Sequence, residues 1–115
     1  MRRGDVWTLR DDRYASKARP VVIVQSDLAG GSDSVILTLL TTSNNEELPN
    51  RVSVQPTPAN GLRQASFVMA EKLLTVRRSE LGIRVGALTD AQMHTISAAL
   101  ATVLGITADD IPINS

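Results

Sequence analysis

The sequence predicts a mainly antiparallel β fold of the α+β class, with five or six short strands followed by one helix. Two observations carry this prediction. Short apolar, β-branched runs alternate with turn-forming segments along residues 6–85, and one stretch with helical periodicity follows them. Strands grouped before a helix favour an antiparallel sheet, here strongly curved or closed as a barrel. At 115 residues, the chain suggests a single domain over residues 1–115.

The first three predicted strands are apolar and lie at residues 6–9, 20–25 and 35–42. The second begins with a proline, a position at which no ladder hydrogen bond is lost, and a glycine pair marks the turn to the third. Strands two and three are apolar on both faces, which is unusual in an antiparallel sheet with one wet side. The helix can cover one face. We expect a partner subunit to cover the other, which predicts a homodimer.

Three further segments complete the predicted sheet. Residues 51–55 alternate between apolar and polar side chains, as a half-exposed strand does. A strong turn signal, with two prolines and an Asn-Gly pair, separates them from a longer strand over residues 66–76. A short final strand is expected around Ile83 and Val85.

The helix has the clearest local signals in the chain. Thr89 is a suitable N-cap, with Gln92 three residues later to complete a capping box. Gly105 fits the C-terminal end. The apolar positions recur at helical spacing and form one stripe that can lie on a sheet: Met93, Ile96, Leu100, Val103 and Leu104.

Composition excludes several classes of chemistry. The chain has no cysteine and only one histidine, so disulfides, thiolate nucleophiles and histidine pairs within the chain are excluded. The net charge is zero, which gives no overall field towards nucleic acid, although basic residues outnumber acidic ones in residues 1–19. No signal region opens the chain, and its apolar runs are too short for a membrane span. We therefore expect a cytoplasmic protein with no membrane partner.

Two strand ends form the candidate site. Arg19 precedes the second strand, and the hydroxyls of Thr41, Thr42 and Ser43 close the third. If these strands are antiparallel neighbours, the start of one lies beside the end of the other. A guanidinium offers a fixed fork of donors that matches phosphate oxygens, so the pair predicts a phosphate-binding corner. Taken alone, Arg19 is equally an ordinary surface residue, and the threonines are ordinary strand formers.

Five segments, in order along the chain, resemble the MazF/PemK/Kid family of toxins. They are RGDVW at 3–7, RPVVIV at 19–24, LTT at 40–42, VMAEK at 68–72, and the lead-in to the helix at 81–88. The resemblance implies an SH3-like barrel with an appended helix, assembled as a homodimer. It also implies metal-independent, cofactor-free cleavage of single-stranded RNA. The partner it implies is a small antitoxin with an acidic, partly disordered segment.

The resemblance assigns the catalytic roles to Arg19 and Thr41. A guanidinium suits stabilisation of a dianionic phosphorane but is a poor general base, since it stays protonated at neutral pH. Thr41 can donate to a phosphoryl oxygen or position the attacking hydroxyl. Glu71, a carboxylate within an apolar strand, is the candidate base or substrate-positioning group. Alternatively, no dedicated base exists, or Glu71 and Lys72 form a solvated pair near a strand end.

The remaining candidate residues are assigned to RNA binding. Tyr14 is the only aromatic residue in a predicted loop and can stack on a base. Lys17 can contact the RNA backbone, and Ser16, Thr42 and Ser43 are polar neighbours of the corner, although Ser43 can instead form a turn. Many family members carry a glutamate in the first loop, shortly before the arginine. Residues 14–18 contain no acidic residue, so that role is absent from this stretch.

Two alternatives remain at the level of sequence. A related toxin of the CcdB type binds a protein target such as gyrase without chemistry, but members of that group typically carry a tryptophan near the C-terminus, and residues 111–115 contain none. An inactive family member that serves as a binding scaffold is the other alternative.

Overall fold

The computed structural model describes residues 1–10, 18–43 and 48–112 of the chain. Within these ranges the chain forms six strands and one α-helix, together with short 3₁₀ turns at Asp27–Ala29, Arg78–Glu80 and Ala108–Asp110. The main elements, in chain order, are β1 (Asp5–Leu9), β2 (Arg19–Ile23), β3 (Ser34–Thr41), β4 (Arg51–Val54), β5 (Ser66–Arg77), β6 (Leu81–Ala87) and α1 (Asp90–Leu104).

The six strands form one sheet in the order β4-β5-β3-β2-β1-β6. Every neighbouring pair is antiparallel. The sheet and its C-terminal helix confirm the predicted fold class. The final strand is longer than expected: it runs over seven residues and pairs with β1. Its two glycines weaken the period-2 pattern, which explains why only its centre is evident from the sequence.

The helix begins and ends where its local signals predict. The Thr89 hydroxyl accepts a hydrogen bond from the Gln92 backbone N–H at 3.1 Å, and the Gln92 side chain accepts from the Thr89 N–H at 2.9 Å. Gly105 has a φ of 70°, the left-handed conformation that ends many helices. Met93 and Ile96 point from α1 into the core. The capping-box prediction is therefore confirmed.

The core has two parts, one on each face of the sheet. The helix face is the side on which Val22, Leu40 and Val68 pack against Met93 and Ile96 of α1. The opposite face carries a second apolar cluster, which we call the opposite-face cluster: Val21, Ile23, Val35, Leu37, Val76 and Leu81. Side chains alternate between the two faces along each strand.

The opposite-face cluster is buried within a single chain. Val21 and Leu37 are fully buried, and Val76 and Leu81 pack against them. Register shifts occur between β1 and β6 and between Thr38 and Leu39 of β3, and such irregularities bend a sheet. The chain's own residues bury this cluster, so a partner subunit is not needed to cover it, and the homodimer stays a prediction.

Candidate active site

The strand register brings Arg19 and Thr41 to the same corner of the sheet. β2 pairs antiparallel with β3, with Val21 opposite Leu39 and Ile23 opposite Leu37. Continued to the ends of both strands, this register places Arg19 opposite Thr41. Directly opposed residues on antiparallel strands share a face, so both belong to the face that carries the opposite-face cluster. The predicted antiparallel pairing of the two strands is confirmed, and the meeting of Arg19 with Thr41 follows from extending that pairing by two residues.

Thr41 is held locally by the turn that follows it. Its side-chain oxygen accepts the backbone N–H of Ser43 at 3.2 Å. A hydroxyl carries one donor and two acceptor lone pairs, so its O–H can still donate to a ligand. Thr41 is half-buried, whereas Arg19, Thr42 and Ser43 are exposed. Ser43 therefore contributes at least its backbone to a turn, which was the alternative to RNA contact.

Glu71 lies on β5, the strand beside β3, and is paired with an arginine. Arg51, which opens β4, donates from Nε to Glu71 Oε1 at 2.7 Å. Their side chains are only 11% and 21% exposed, respectively. The other carboxylate oxygen, Oε2, is buried and has no hydrogen-bond partner among the described residues. One oxygen of the carboxylate is therefore held by Arg51, and the second accepts no described hydrogen bond.

The solvated Glu71–Lys72 pair is contradicted by these contacts. Lys72 is exposed, and the partner of Glu71 is Arg51 on the neighbouring strand. The reason is a break in the register between β3 and β5. Leu39 pairs with Met69, whereas the preceding Thr38 pairs with Leu73. Three residues of β5, 70–72, are extra at this point, and such a bulge re-aims the side chains it carries.

Three of the proposed RNA contacts, Tyr14, Ser16 and Lys17, lie outside the described residues, so their roles stay predictions. Within the described ranges, no group of three or more His, Asp or Glu side chains is placed to hold a metal ion. The same part of the chain has no helix long and apolar enough to cross a membrane.

Comparison with known families places these residues in context. Residues 2–104 match the model of the PemK-like, MazF-like toxins of type II toxin–antitoxin systems. The chain belongs to this family. Arg19, Thr41, Arg51 and Glu71 all lie within the matched residues.

Individual relatives agree with the family match. A protein of Mycolicibacterium smegmatis named "Probable endoribonuclease MazF" is 41% identical over 107 residues, which are 92% of this chain and 98% of that protein. A solved mycobacterial endoribonuclease in complex with its cognate antitoxin superposes with a TM-score of 0.77 at 29% identity, over 93% of this chain and 97% of that one. A MazE–MazF structure from Deinococcus radiodurans has a TM-score of 0.74 at 15% identity, over 93% and 97%, which supports the fold alone.

Sequence reasoning missed Arg51, the partner of the candidate residue Glu71. The alternation of β4 places Val52 and Val54 on the helix face, so Arg51 has the pattern of a solvent-facing strand residue. In the structure its side chain instead contacts Glu71 on β5. The available signal was the combination of an arginine in one strand of a pair with a lone carboxylate in the other, since cross-strand partners of opposite charge attract.

Proposed function

We propose that this chain is the toxin of a type II toxin–antitoxin pair and acts as a sequence-specific endoribonuclease on single-stranded RNA, including messenger RNA. The observation that carries the proposal is the antiparallel β2–β3 register, which pairs Val21 with Leu39. Extended by two residues, it sets Arg19 opposite Thr41. Within a family of toxins whose similar members are named endoribonucleases, this corner combines a permanent cation with a hydroxyl donor at one strand end. The non-catalytic CcdB-like alternative has no observation in its favour.

The proposed reaction is a transesterification within the RNA. The 2′-oxygen attacks the adjacent phosphorus, the P–O2′ bond forms, and the P–O5′ bond breaks. The products are a 2′,3′-cyclic phosphate and a 5′-hydroxyl end. Charge accumulates on the non-bridging oxygens as the phosphorane forms, and the Arg19 guanidinium is the group that stabilises it. The Thr41 O–H donates to one of these oxygens, while its own oxygen accepts a hydrogen bond from the Ser43 N–H.

The proton balance involves two transfers. The 2′-hydroxyl loses a proton as it attacks, and the departing 5′-oxygen gains one. Arg19 cannot accept the first proton because a guanidinium stays charged at neutral pH. Glu71 and solvent water are the two candidate acceptors. The reaction as written requires neither a metal ion nor another cofactor.

The partners belong to the same proposal. A small antitoxin with an acidic, partly disordered segment would cover the corner, where Arg19 is exposed, and its carboxylates would compete with RNA phosphates. The support is the solved relative that was captured with its cognate antitoxin. The homodimer rests on the family resemblance, since the opposite-face cluster is covered by the chain itself. Cytoplasmic location follows from the proposed messenger RNA substrate.

The test is cleavage of a long single-stranded RNA by the purified protein in EDTA, with the product ends mapped. We expect discrete cuts with cyclic-phosphate and 5′-hydroxyl ends. Arg19→Ala should lower the cleavage rate by about 10²–10³-fold, because it removes a donor to the developing charge. Thr41→Val keeps the β-branched shape and removes only the O–H, so its rate should also fall.

Arg77→Ala is the matched control. Arg77 is also an exposed arginine at a strand end, but it pairs with Ser34 at the far end of β3. It should cut RNA as the wild type does. Intact RNA with the wild-type protein, across varied sequences, would reject the nuclease in favour of a binding toxin or an inactive scaffold. Equal losses in Arg19→Ala and Arg77→Ala would mean that arginine charge matters only for general RNA attraction.

A further inference from the structure

The Arg51–Glu71 pair is placed to act on the proposed reaction. Arg51 lies opposite Met69 in the β4–β5 pairing, and Met69 lies opposite Leu39 in the β5–β3 pairing. Opposed residues share a face, so Arg51 projects from the same face as Leu39. Thr41 follows two residues later on β3 and returns to that face. Arg51 of the ion pair and the Arg19–Thr41 corner therefore lie on one face of the sheet, with β5 between β4 and β3.

The pair is held firmly and largely away from water. The Nε–Oε1 distance of 2.7 Å is that of a charge-assisted hydrogen bond. With Arg51 only 11% exposed, the arginine has little room to take other conformations. The preceding residue, Ala70, is fully buried. Glu71 thus has one defined orientation.

The second oxygen of this carboxylate is the decisive feature. An ionised carboxylate only accepts hydrogen bonds and has about four lone-pair positions. Oε1 is used by Arg51, while Oε2 is buried with no donor among the described residues. A buried acceptor without a donor costs roughly 1–3 kcal/mol. Such an atom is available to a donor that arrives with a ligand.

The RNA of the proposed reaction carries a suitable donor, the attacking 2′-hydroxyl. An ionised carboxylate accepts hydrogen bonds, so the pair suits acceptance of one from this hydroxyl. Orientation of a nucleophile for in-line attack is itself a large catalytic effect.

We propose that Arg51 is a positioning residue, which clamps Glu71 through Oε1 so that Oε2 accepts a hydrogen bond from the 2′-hydroxyl of the RNA and orients it towards phosphorus. This inference rests on the proposed nuclease function and deepens it. Arg51 itself does not touch the reacting atoms. Its effect on cleavage passes through Glu71.

The test is a double-mutant cycle on the single-turnover cleavage rate at saturating enzyme. Glu71→Gln is a sharp probe, because an amide can keep its oxygen on Arg51 Nε and then presents an N–H₂ donor where Oε2 stood. We expect a loss of about 10²-fold for Glu71→Gln and for Arg51→Ala, the scale expected of a misplaced nucleophile. The double variant should be no slower than the slower single one, since both changes remove the same interaction.

A binding measurement separates positioning from a structural role. RNA with a single 2′-deoxy nucleotide at the cleaved position lacks the hydroxyl and cannot be cut. Wild-type protein should bind it more weakly than RNA with an intact hydroxyl, whose affinity is read from the start of a slow cleavage time course on ice. Glu71→Gln and Arg51→Ala should bind the two RNAs equally, because the acceptor for that hydroxyl is gone or displaced.

Arg84→Ala is the matched control, since it removes an arginine from the other arginine–carboxylate pair described in the sheet. It should cleave at the wild-type rate. If Arg51→Ala does not fold, Arg51→Lys keeps the charge without the fixed fork and should retain an intermediate rate. Wild-type rates in Arg51→Ala, or losses that multiply in the double variant, would overturn the inference alone. Failure of the wild type to cut RNA would overturn the proposed function as well.

Discussion

Two arginine–carboxylate pairs lie at opposite edges of the sheet and differ in what they leave unused. At the β4–β5 edge, Arg51 and Glu71 are 2.7 Å apart and mostly buried. At the β1–β6 edge, Arg84 and Asp5 are 3.4 Å apart, and the Arg84 side chain is 54% exposed. The first pair is desolvated and tight. The second is a surface contact to a buried carboxylate.

The carboxylates differ more than the arginines do. Asp5 offers Oδ1 to Arg84 and accepts the Arg2 backbone N–H on Oδ2 at 2.9 Å. Both oxygens therefore serve the fold at the start of β1. Glu71 uses only Oε1, and its buried Oε2 has no described partner. The difference is that Asp5 uses both of its oxygens within the fold, whereas Glu71 keeps one buried acceptor available to a ligand.

Gly86→Ala gives the largest expected effect and tests whether the β6 edge is mainly structural. A Cβ at Gly86 would collide with backbone atoms of Ala59 and Asn60, which cannot rotate away as a side chain can. We expect the free energy of unfolding to fall by about 3 kcal/mol or more, measured by urea denaturation. Gly30→Ala is the control, since a Cβ there would meet only the Asp27 carbonyl oxygen, at 3.9 Å. Equal stability of the two variants would show that the backbone around β6 can move to accommodate a Cβ.

Arg51→Ala has an intermediate expected effect on stability. It leaves the Glu71 carboxylate largely buried without its donor, which should lower the free energy of unfolding by about 2 kcal/mol. The double variant Arg51→Ala/Glu71→Gln should recover part of this loss, because a neutral amide is less costly to bury than a charge. Thermal unfolding of both variants measures the difference. No recovery in the double variant would mean that lost packing of the Arg51 stem, and not the unpaired charge, causes the loss.

Arg84→Ala has the smallest expected effect. The arginine is more than half exposed, and such pairs contribute about 0–1 kcal/mol. Its unfolding midpoint in urea should stay close to that of the wild type. A loss as large as that of Arg51→Ala would remove the distinction between the two edges and make the Arg51–Glu71 pair an ordinary structural contact.

Much of the fold is evident from local patterns in the sequence. The capping box at Thr89 and Gln92 and the cap at Gly105 involve residues within a few positions of one another, so their geometry follows from the chain itself. Proline before an apolar run places the start of β2 within one residue. The meeting of Arg19 with Thr41 needed only the added assumption that consecutive strands pair, which they commonly do.

The interpretation of the sheet faces was less successful for a physical reason. Apolar residues on both sides of β2 and β3 indicate that both sides are buried, but they do not indicate what buries them. A second subunit and a curled sheet satisfy the pattern equally. The register shifts that curl this sheet are set by the packing of distant strands, so they leave no clear mark in local sequence.

The sequence by itself determined the succession of strands along the chain, the helix limits and the family. It also gave the two candidate residues at the corner of β2 and β3. Only the tertiary structure decided that Glu71 faces Arg51 rather than Lys72, and that one of its oxygens remains without a described donor. The physical reason is that a bulge in β5 re-aims Glu71, and that its partner lies 20 residues away in sequence. Contacts of this kind depend on where strands meet, which local propensity does not encode.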